Sequence, residues 1–509
     1  MFPGSHPRDK IAVTMAESGR TLTYGELDDR SACLAAALRG LGLRSGDVIA
    51  MLFDNTVEAF EIYWAAIRSG LYITAMNRHL TAGEIGYILR DSAARVLFAS
   101  SGVATLAEQL VGEYTRDVTA FCVGGPIEGY RPYDDLLAGP HPKLAEQPRG
   151  ADMLYSSGTT GRPKGIKAAL PGTQVTDALD PQTALLSRMF GLSGEDVYLS
   201  PAPIYHAAPL RYCASIHALG GTVVQMEKFD AAAALEAIEL HGVTVTQMVP
   251  TMFVRMLQLP EEVRARFDIS ALRLAIHAGA PCPPSVKDAM LAWWGPILTE
   301  YYSATESHGM TAITAAEWQV RRGSVGRSVL GDIHICDEQG NELPVGQVGS
   351  VYFERDRAAF SYHNDSTKTE SSRHPQQHNW STVGDLGRVD EDGYLYLAER
   401  QAFVIISGGV NIYPQEIENV LTLHPAVFDV AVIGIPDPVM GEQVKALVQL
   451  REGCTGGDGL AEDLLMFIRE RVAHYKCPRS VEFVDDLPRS AAGKLMKHKL
   501  VGSVNHSAS

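Results

Sequence analysis

Along the first hundred residues the apolar positions alternate between two spacings. Thr23 and Glu26 stand three apart, a capping-box pair, ahead of the helical pattern LDDRSACLAAALRGLGL. A continuous apolar run from Val48 to Phe53 then predicts a buried strand. Asp54, Asn55 and Thr56 offer caps for a second helix, EAFEIYWAAIRSG, which stops at Gly70. Thr81 and Glu84 repeat the box before IGYILRDS, and Arg95 to Ala99 reads as another buried strand. Strands and helices that alternate over short connections predict a parallel α/β architecture. No repeat of solenoid period and no low-complexity tract interrupts it. Pro/Gly-rich stretches fall near 138–150, and a polar stretch, HNDSTKTESSRHPQQHN, covers 363–379.

After Arg400 the texture changes. The order becomes strand FVIIS, loop GGVNIYP, helix QEIENVLTLH, strands DVAVIGI and QVKALVQL, helix LAEDLLMFIRERVAHY and a last strand SVEFV. That is enough α and β to form a small domain with its own core. The predicted division is 1–399, a hinge at 400–402, and 403–509.

Length supports several domains, because 509 residues exceed what one hydrophobic core accommodates. With 46% apolar and 20% charged residues, the composition is that of a soluble globular enzyme. Forty-four basic against sixty acidic residues give a formal charge of −16, which argues against nonspecific binding to nucleic acid or anionic membrane. An anionic ligand must therefore be held by local groups. The seven cysteines are scattered, with no C-x-x-C pair, which excludes a zinc ribbon and predicts a reducing compartment. MFPGSHPRDK lacks the apolar core of a signal peptide and no later run is long enough to span a bilayer, so the expectation is a cytoplasmic protein.

The strongest local feature is YSSGTTGRPKG, Tyr155 to Gly165, delivered by a short apolar run. Small residues let backbone N–H groups close on phosphate oxygens. The hydroxyls of Ser156, Ser157, Thr159 and Thr160 add donors, Gly158 and Gly161 add freedom, and Lys164 adds charge. It is not a Walker loop, since glycine and lysine are not adjacent and no Ser or Thr follows the lysine.

With this loop, the segments GAP (Gly279, Ala280, Pro281), EYYSATE (Glu300 to Glu306), WSTVGDLG (Trp380 to Gly387) and PRSAAGKLMKHKL (Pro488 to Leu500) complete a set spread over nearly the whole chain. The sequence resembles the adenylate-forming superfamily of acyl-CoA synthetases, peptide-synthetase adenylation domains and luciferases. The resemblance implies a large N-terminal domain of two α/β sheets plus a small β-barrel, and a mobile C-terminal α+β lid. It implies an enzyme that joins a carboxylate to the α-phosphate of ATP with Mg²⁺, releases pyrophosphate, and passes the acyl group to coenzyme A. By the same resemblance the 279–281 backbone packs on adenine and Tyr302 stacks there. Thr305 donates to the α-phosphate and Glu306 holds the metal, a hard oxygen ligand for a hard ion. Asp385 takes the ribose hydroxyls, Arg400 approaches the ribose, and Lys494 is the catalytic lysine bridging carboxylate and phosphate. His206, also a catalytic candidate, lines the acyl pocket with Thr251, Met252, His277, Ala278 and Ser303. Ser407, Gly408 and Gly409 line a tunnel for the coenzyme, and Ala402 is the pivot.

Departures from the family pattern shape the finer expectations. Ser303 stands where glycine is common. PAPIYHAAP carries no aspartate of the kind that pairs with an amino group, which argues against amino-acid substrates. MNRHLTAGEIGYILRDS and ISGGVNIYPQEIE resemble fatty-acid and steroid-acid ligases, so the expected acid is apolar, of fatty, alicyclic, steroid or terpenoid type. At the hinge the sequence reads Glu399, Arg400, Gln401, Ala402, Phe403, without the usual polar pivot and following acid. This change admits a reading with poor thioester transfer and a partner thioesterifying enzyme. The residues also admit a ligase that loads a separate carrier protein, a nucleotide-binding homologue without turnover, and a luciferase-like oxygenase. A homodimer is compatible with all of these.

Overall fold

Thr23 does cap the helix Tyr24–Gly40: its hydroxyl accepts from the Glu26 amide, while the Glu26 carboxylate accepts from the Thr23 amide at 2.8 Å. Thr81 and Glu84 repeat this before Ala82–Asp91, and Thr314 with Glu317 forms a third such box before Ala315–Val320. Each cap satisfies amides the helix itself leaves unpaired, an effect of about 1 kcal/mol. Asn55 has another task. The helix Val57–Ile67 takes Thr56 as its N-cap without a side-chain bond, and the Asn55 amide donates to the carbonyls of Ala202 and Met226.

The computed structural model describes residues 2–139, 141–156, 163–400, 403–407, 410–437, 439–489, 495–497 and 499–500, with backbone only at Glu399, Arg400 and Asn411. It divides into two compact units. One comprises Met1–Met248, Arg255–Ile276 and Phe360–Thr369, and the other Val249–Val254, His277–Ala359 and Glu370–Ser509.

In the first unit, among the described residues, one sheet has seven strands in the order Arg131–Pro132, Thr119–Val123, Ala94–Ser100, Val48–Leu52, Tyr72–Met76, Ala151–Ser156 and Lys164–Lys167. All neighbours are parallel except the last pair. Every residue of Val48–Leu52 and Tyr72–Met76 is buried, as strands covered on both faces require. A second sheet includes, in order, Val245–Met248, Val197–Ser200, Thr222–Gln225, Ile11–Met15 and Thr21–Thr23.

The second unit carries the antiparallel ladder Leu298–Ser303, Met310–Thr314 and Arg327–Leu330. Its five-stranded antiparallel sheet, where the resemblance implied a small barrel, includes Asp332–Cys336, Gly349–Glu354, Asp385–Val389 and Leu395–Arg400. The C-terminal α+β part packs Ile417 and Leu421 of helix Pro414–Leu421, and Leu464 and Ile468 of helix Asp458–Arg469, on the sheet core of Val430, Val432, Val444, Ala446 and Val448. This is the α/β multi-domain class read from the sequence. One predicted loop, GGVNIYP, contains a strand, Val410–Ile412, paired with Ile405–Ser407. Buried Ile412 faces the core, whereas Val410 is exposed. The cysteines are all free thiols, and among the described residues no helix is long and apolar enough to cross a membrane.

Candidate active site

The first unit contributes the base of the Gly/Thr loop. Ala151–Ser156 and Lys164–Lys167 form a hairpin in which Ser156 pairs with Lys164 and Tyr155 with Gly165. Ser157, Gly158, Thr159, Thr160 and Gly161 lie outside the described residues. The base is held from three sides. The Tyr155 hydroxyl donates to Asp91 Oδ2 at 2.6 Å, the His363 amide donates to the Gly165 carbonyl at 2.8 Å, and Lys164 Nζ is 5.8 Å from the centre of the Tyr362 ring. A Cβ at Gly165 would stand 2.9 Å from Tyr155 Cζ, so a larger residue there must displace the tyrosine ring.

His206 is the N-cap of helix Ala207–Leu219, its ring 4.6 Å from that of Tyr205. Burial, with a smaller contribution from His79, pushes its pKa down to about 4, so the imidazole is neutral at pH 7. Its Nε2 has no hydrogen-bond partner among the described residues. The group can therefore serve in contacts that need no charge.

The second unit gathers most of the candidates. Gly279 has φ +87°, a left-handed turn that frees Ala280 and Pro281 to lead into helix Pro284–Trp294. Ala278 and Met252 are buried, and Thr251 is half-buried. His277 is fully enclosed, with its ring 5.5 Å from that of Phe253 and its Nε2 3.8 Å from Glu300. Burial holds its pKa well below the usual value, and Lys287 adds to this. Lys287 itself pairs with Glu300 at 2.7 Å, behind the strand Leu298–Ser303. Burial raises the Glu300 pKa against the opposing pull of Lys287.

Strand Leu298–Ser303 delivers Tyr302, whose hydroxyl donates to Asp385 Oδ2 at 2.6 Å. Asp385 in turn stands opposite Arg400 in the ladder of the five-stranded sheet. Three of the nucleotide candidates are thus brought together. Beyond the strand the chain turns sharply: Ser307 has φ +51° and its amide donates to the Ala304 carbonyl. Ser303 Oγ donates to the Gly309 carbonyl at 2.7 Å, which closes the turn. A Cβ at Gly309 would fall within the Phe353 ring, so the turn lies flat on that aromatic. The turn carries Thr305, half-buried, and Glu306, 8% exposed. Among the described residues no group of three or more His, Cys, Asp or Glu side chains could hold a metal. A single buried carboxylate fits Mg²⁺ that is shared with phosphate oxygens, and not a protein cage.

Ser407 is buried and pairs with Val410. Gly408, Gly409, Ala402 and Lys494 lie outside the described residues. The anchors Asp91, His363 and Lys287 carry no signal of their own in the sequence. Tyr155 and Asp91 are 64 residues apart and His363 and Asp91 272, so no local spacing marks them.

The chain belongs to the AMP-binding enzyme family, whose model matches residues 3–363, with the AMP-binding enzyme C-terminal domain at 416–494. A feruloyl-CoA synthase from an Amycolatopsis species is 34% identical over 493 residues, 96% of this chain and 94% of that protein. The fatty acid–[acyl-carrier-protein] ligase ScoC of Streptomyces coeruleorubidus is 32% identical over 489 residues, 95% of this chain and 91% of that protein. Among solved structures, ATP-bound MatB from Rhodopseudomonas palustris superposes with a TM-score of 0.84 at 28% identity, covering 100% of this chain and 98% of that one.

Proposed function

We propose that this chain is an AMP-forming acid–thiol ligase that activates an apolar carboxylic acid and transfers it to coenzyme A. The single observation that carries the reading is the Tyr302–Asp385 hydrogen bond, with Arg400 at the facing register position. It sets an aromatic ring suited to adenine beside a carboxylate suited to the ribose hydroxyls.

In the first step a carboxylate oxygen attacks the α-phosphorus of ATP, the bond to the bridging oxygen breaks, and pyrophosphate leaves. The acid is already ionised at pH 7, so no general base is needed. The work is to orient the two reactants and stabilise charge on the five-coordinate phosphorus. Ser156, Ser157, Gly158, Thr159, Thr160, Gly161 and Lys164 hold the departing phosphates, and Gly279, Ala280, Pro281 and Tyr302 hold adenine. Thr305 donates to the α-phosphate, and the Lys494 ammonium bridges it to the carboxylate. Glu306 would hold Mg²⁺, which supplies charge neutralisation on the phosphates. His206, Thr251, Met252, His277, Ala278 and Ser303 shape the acyl pocket. In the second step the thiol sulfur attacks the acyl carbon, the bond to AMP breaks, and the thiol proton passes to solvent or to the leaving phosphate. Ser407, Gly408 and Gly409 would guide the thiol arm after residues 403–509 turn about Ala402.

The relatives' names include a feruloyl-CoA synthase and a ligase of fatty acids to a carrier protein. They support an apolar acid, with an acyl-carrier thiol as the second reading for the acceptor. The test follows acyl-AMP and acyl-thioester separately in one reaction of purified protein with CoA, then with phosphopantetheinylated carrier. The proposal expects acyl-CoA to appear as fast as acyl-AMP is consumed. Accumulating adenylate that only the carrier discharges would replace CoA by the carrier. Gain of CoA transfer in Ala402→Lys/Phe403→Asp would assign the block to the hinge.

A further inference from the structure

The C-terminal residues on either side of 490–494 are fixed by two ion pairs whose partners lie far away in sequence. Arg489 Nε and Nη2 donate to the two carboxylate oxygens of Asp429, each at 2.6 Å, in a forked geometry that fixes the guanidinium plane. On the other side, Lys497 Nζ is 3.0 Å from Glu418 Oε1, and both side chains are less than one-tenth exposed. The same Glu418 oxygen accepts the Val432 amide at 2.8 Å, so the carboxylate is tied to strand Val427–Asp437 as well as to its own helix. The two sides meet each other: Arg489 and Leu495 form an antiparallel bridge, and the Met496 amide donates to the Pro488 carbonyl at 2.8 Å. Leu487, Leu495 and Leu500 pack with Ala431, Ile433 and Leu447 beneath.

A buried ion pair is a poor way to gain stability, since an apolar pair of the same volume does as well or better. Its distinctive property is geometric. Breaking one side leaves a desolvated charge, so the pair admits one register. Here the buried pair is Glu418–Lys497, and the bridge between Arg489 and Leu495 holds the described residues that flank 490–494 in one register. Lys497 also has its ammonium 5.9 Å from the centre of the Phe403 ring. Phe403 is the first residue after Ala402, and the family pattern expects an acid there. An acid at 403 would compete with Glu418 for Lys497, whereas the aromatic ring does not.

We infer that Glu418–Lys497 and Asp429–Arg489 are positioning residues for the Lys494 ammonium, setting it for adenylation without touching either reactant. This rests on the role given to Lys494 above. Lysine is a flexible point charge, and a displacement of about 1 Å at a reacting centre can cost on the order of 100-fold in rate.

The experiment measures the two half-reactions separately in the full chain: adenylation from acid and ATP, and thioester formation from supplied acyl-AMP and CoA. The variants are Lys497→Met, Lys497→Arg, the neutral double variant Lys497→Met/Glu418→Gln, and Lys494→Ala. In the double variant the Gln oxygen still accepts the Val432 amide and no charge is left unpaired, so it reports even where Lys497→Met alone fails to fold. The expected result is a fall of roughly 10- to 100-fold in adenylation kcat for the Met variants. The KM for ATP and the thioester half-reaction should stay within about twofold of the parent, and Lys497→Arg should recover most of the rate. Two results overturn the inference alone: unchanged adenylation in a folded double variant while Lys494→Ala is inactive, or an equal loss in both half-reactions. Adenylation that survives Lys494→Ala overturns the lysine role itself, and the inference with it.

Discussion

Two short segments, 157–163 and 490–494, are the ones to which the phosphate and lysine contacts are proposed, and their bases are built on different principles. The base of the 157–163 loop is a strand ladder, Ser156 opposite Lys164, braced by a tyrosine hydroxyl on Asp91 and by the His363 amide. The base around 490–494 is one β-bridge bolted at each side by an ion pair, Asp429–Arg489 and Glu418–Lys497. The difference follows from what each loop has to present. A loop that grips phosphate works through a row of backbone N–H groups, so the backbone itself must be shaped, and hydrogen-bonded ladders and small residues do that. A loop that presents one ammonium at the end of four methylenes has no such row. The placing proposed for Lys494 depends on where the flanking residues are held, and Arg489 and Lys497 are each held by a charge pair.

The comparison can be broken most decisively at the lysine. Lys494→Ala should lower adenylation on the order of 10²- to 10³-fold, while ATP binding measured by calorimetry stays near the parent value. At the other base, Gly165→Ala places a methyl 2.9 Å from Tyr155 Cζ and drives the ring off Asp91. It should raise the KM for ATP by about tenfold with a smaller change in kcat, because it distorts the backbone that holds phosphate. An effect of Gly165→Ala on kcat alone would mean the ladder does not shape a ground-state site. Glu306→Gln keeps the size of the side chain and removes the anion, so the Mg²⁺ concentration for half-maximal activity should rise several-fold. An unchanged Mg²⁺ titration would remove Glu306 from the metal.

The smallest expected effect concerns pH. Trp64 Nε1 donates to His217 Nδ1, and the opposite nitrogen is 3.2 Å from the Ala12 carbonyl, which assigns the proton to Nε2. Burial pushes the pKa of His217 down to about 3 and that of His206 to about 4. Below pH ~6.5 the unfolded chain binds protons that the folded one refuses. Stability should therefore be full above that pH and fall as pH drops toward 4. In thermal melts between pH 7 and 5, His217→Gln should flatten the slope by about one proton. A slope unaltered by the substitution would mean that His217 titrates alike in both states.

What the sequence made legible was what is local. The capping boxes at Thr23 and Thr81 and the strand at Val48 all depend on residues within a few positions of one another, and each forms as read. The strand Val410–Ile412 was hidden because glycines precede it and its partner, not its own run, makes it a strand. The anchors were hidden for the same reason at longer range. Asp91, Glu418 and Lys287 look like ordinary surface charges until the fold brings Tyr155, Lys497 and Glu300 against them. The resemblance supplied the residue roles, and it had no place for groups that only hold those residues still.

The most direct test of the account is ATP–pyrophosphate exchange, run with purified protein across aryl, fatty, alicyclic and terpenoid acids. The account predicts that label passes from pyrophosphate into ATP only when an accepted acid is present, with AMP and no ADP formed once CoA is added. Exchange that needs no acid, or cleavage of ATP to ADP and phosphate, would contradict it.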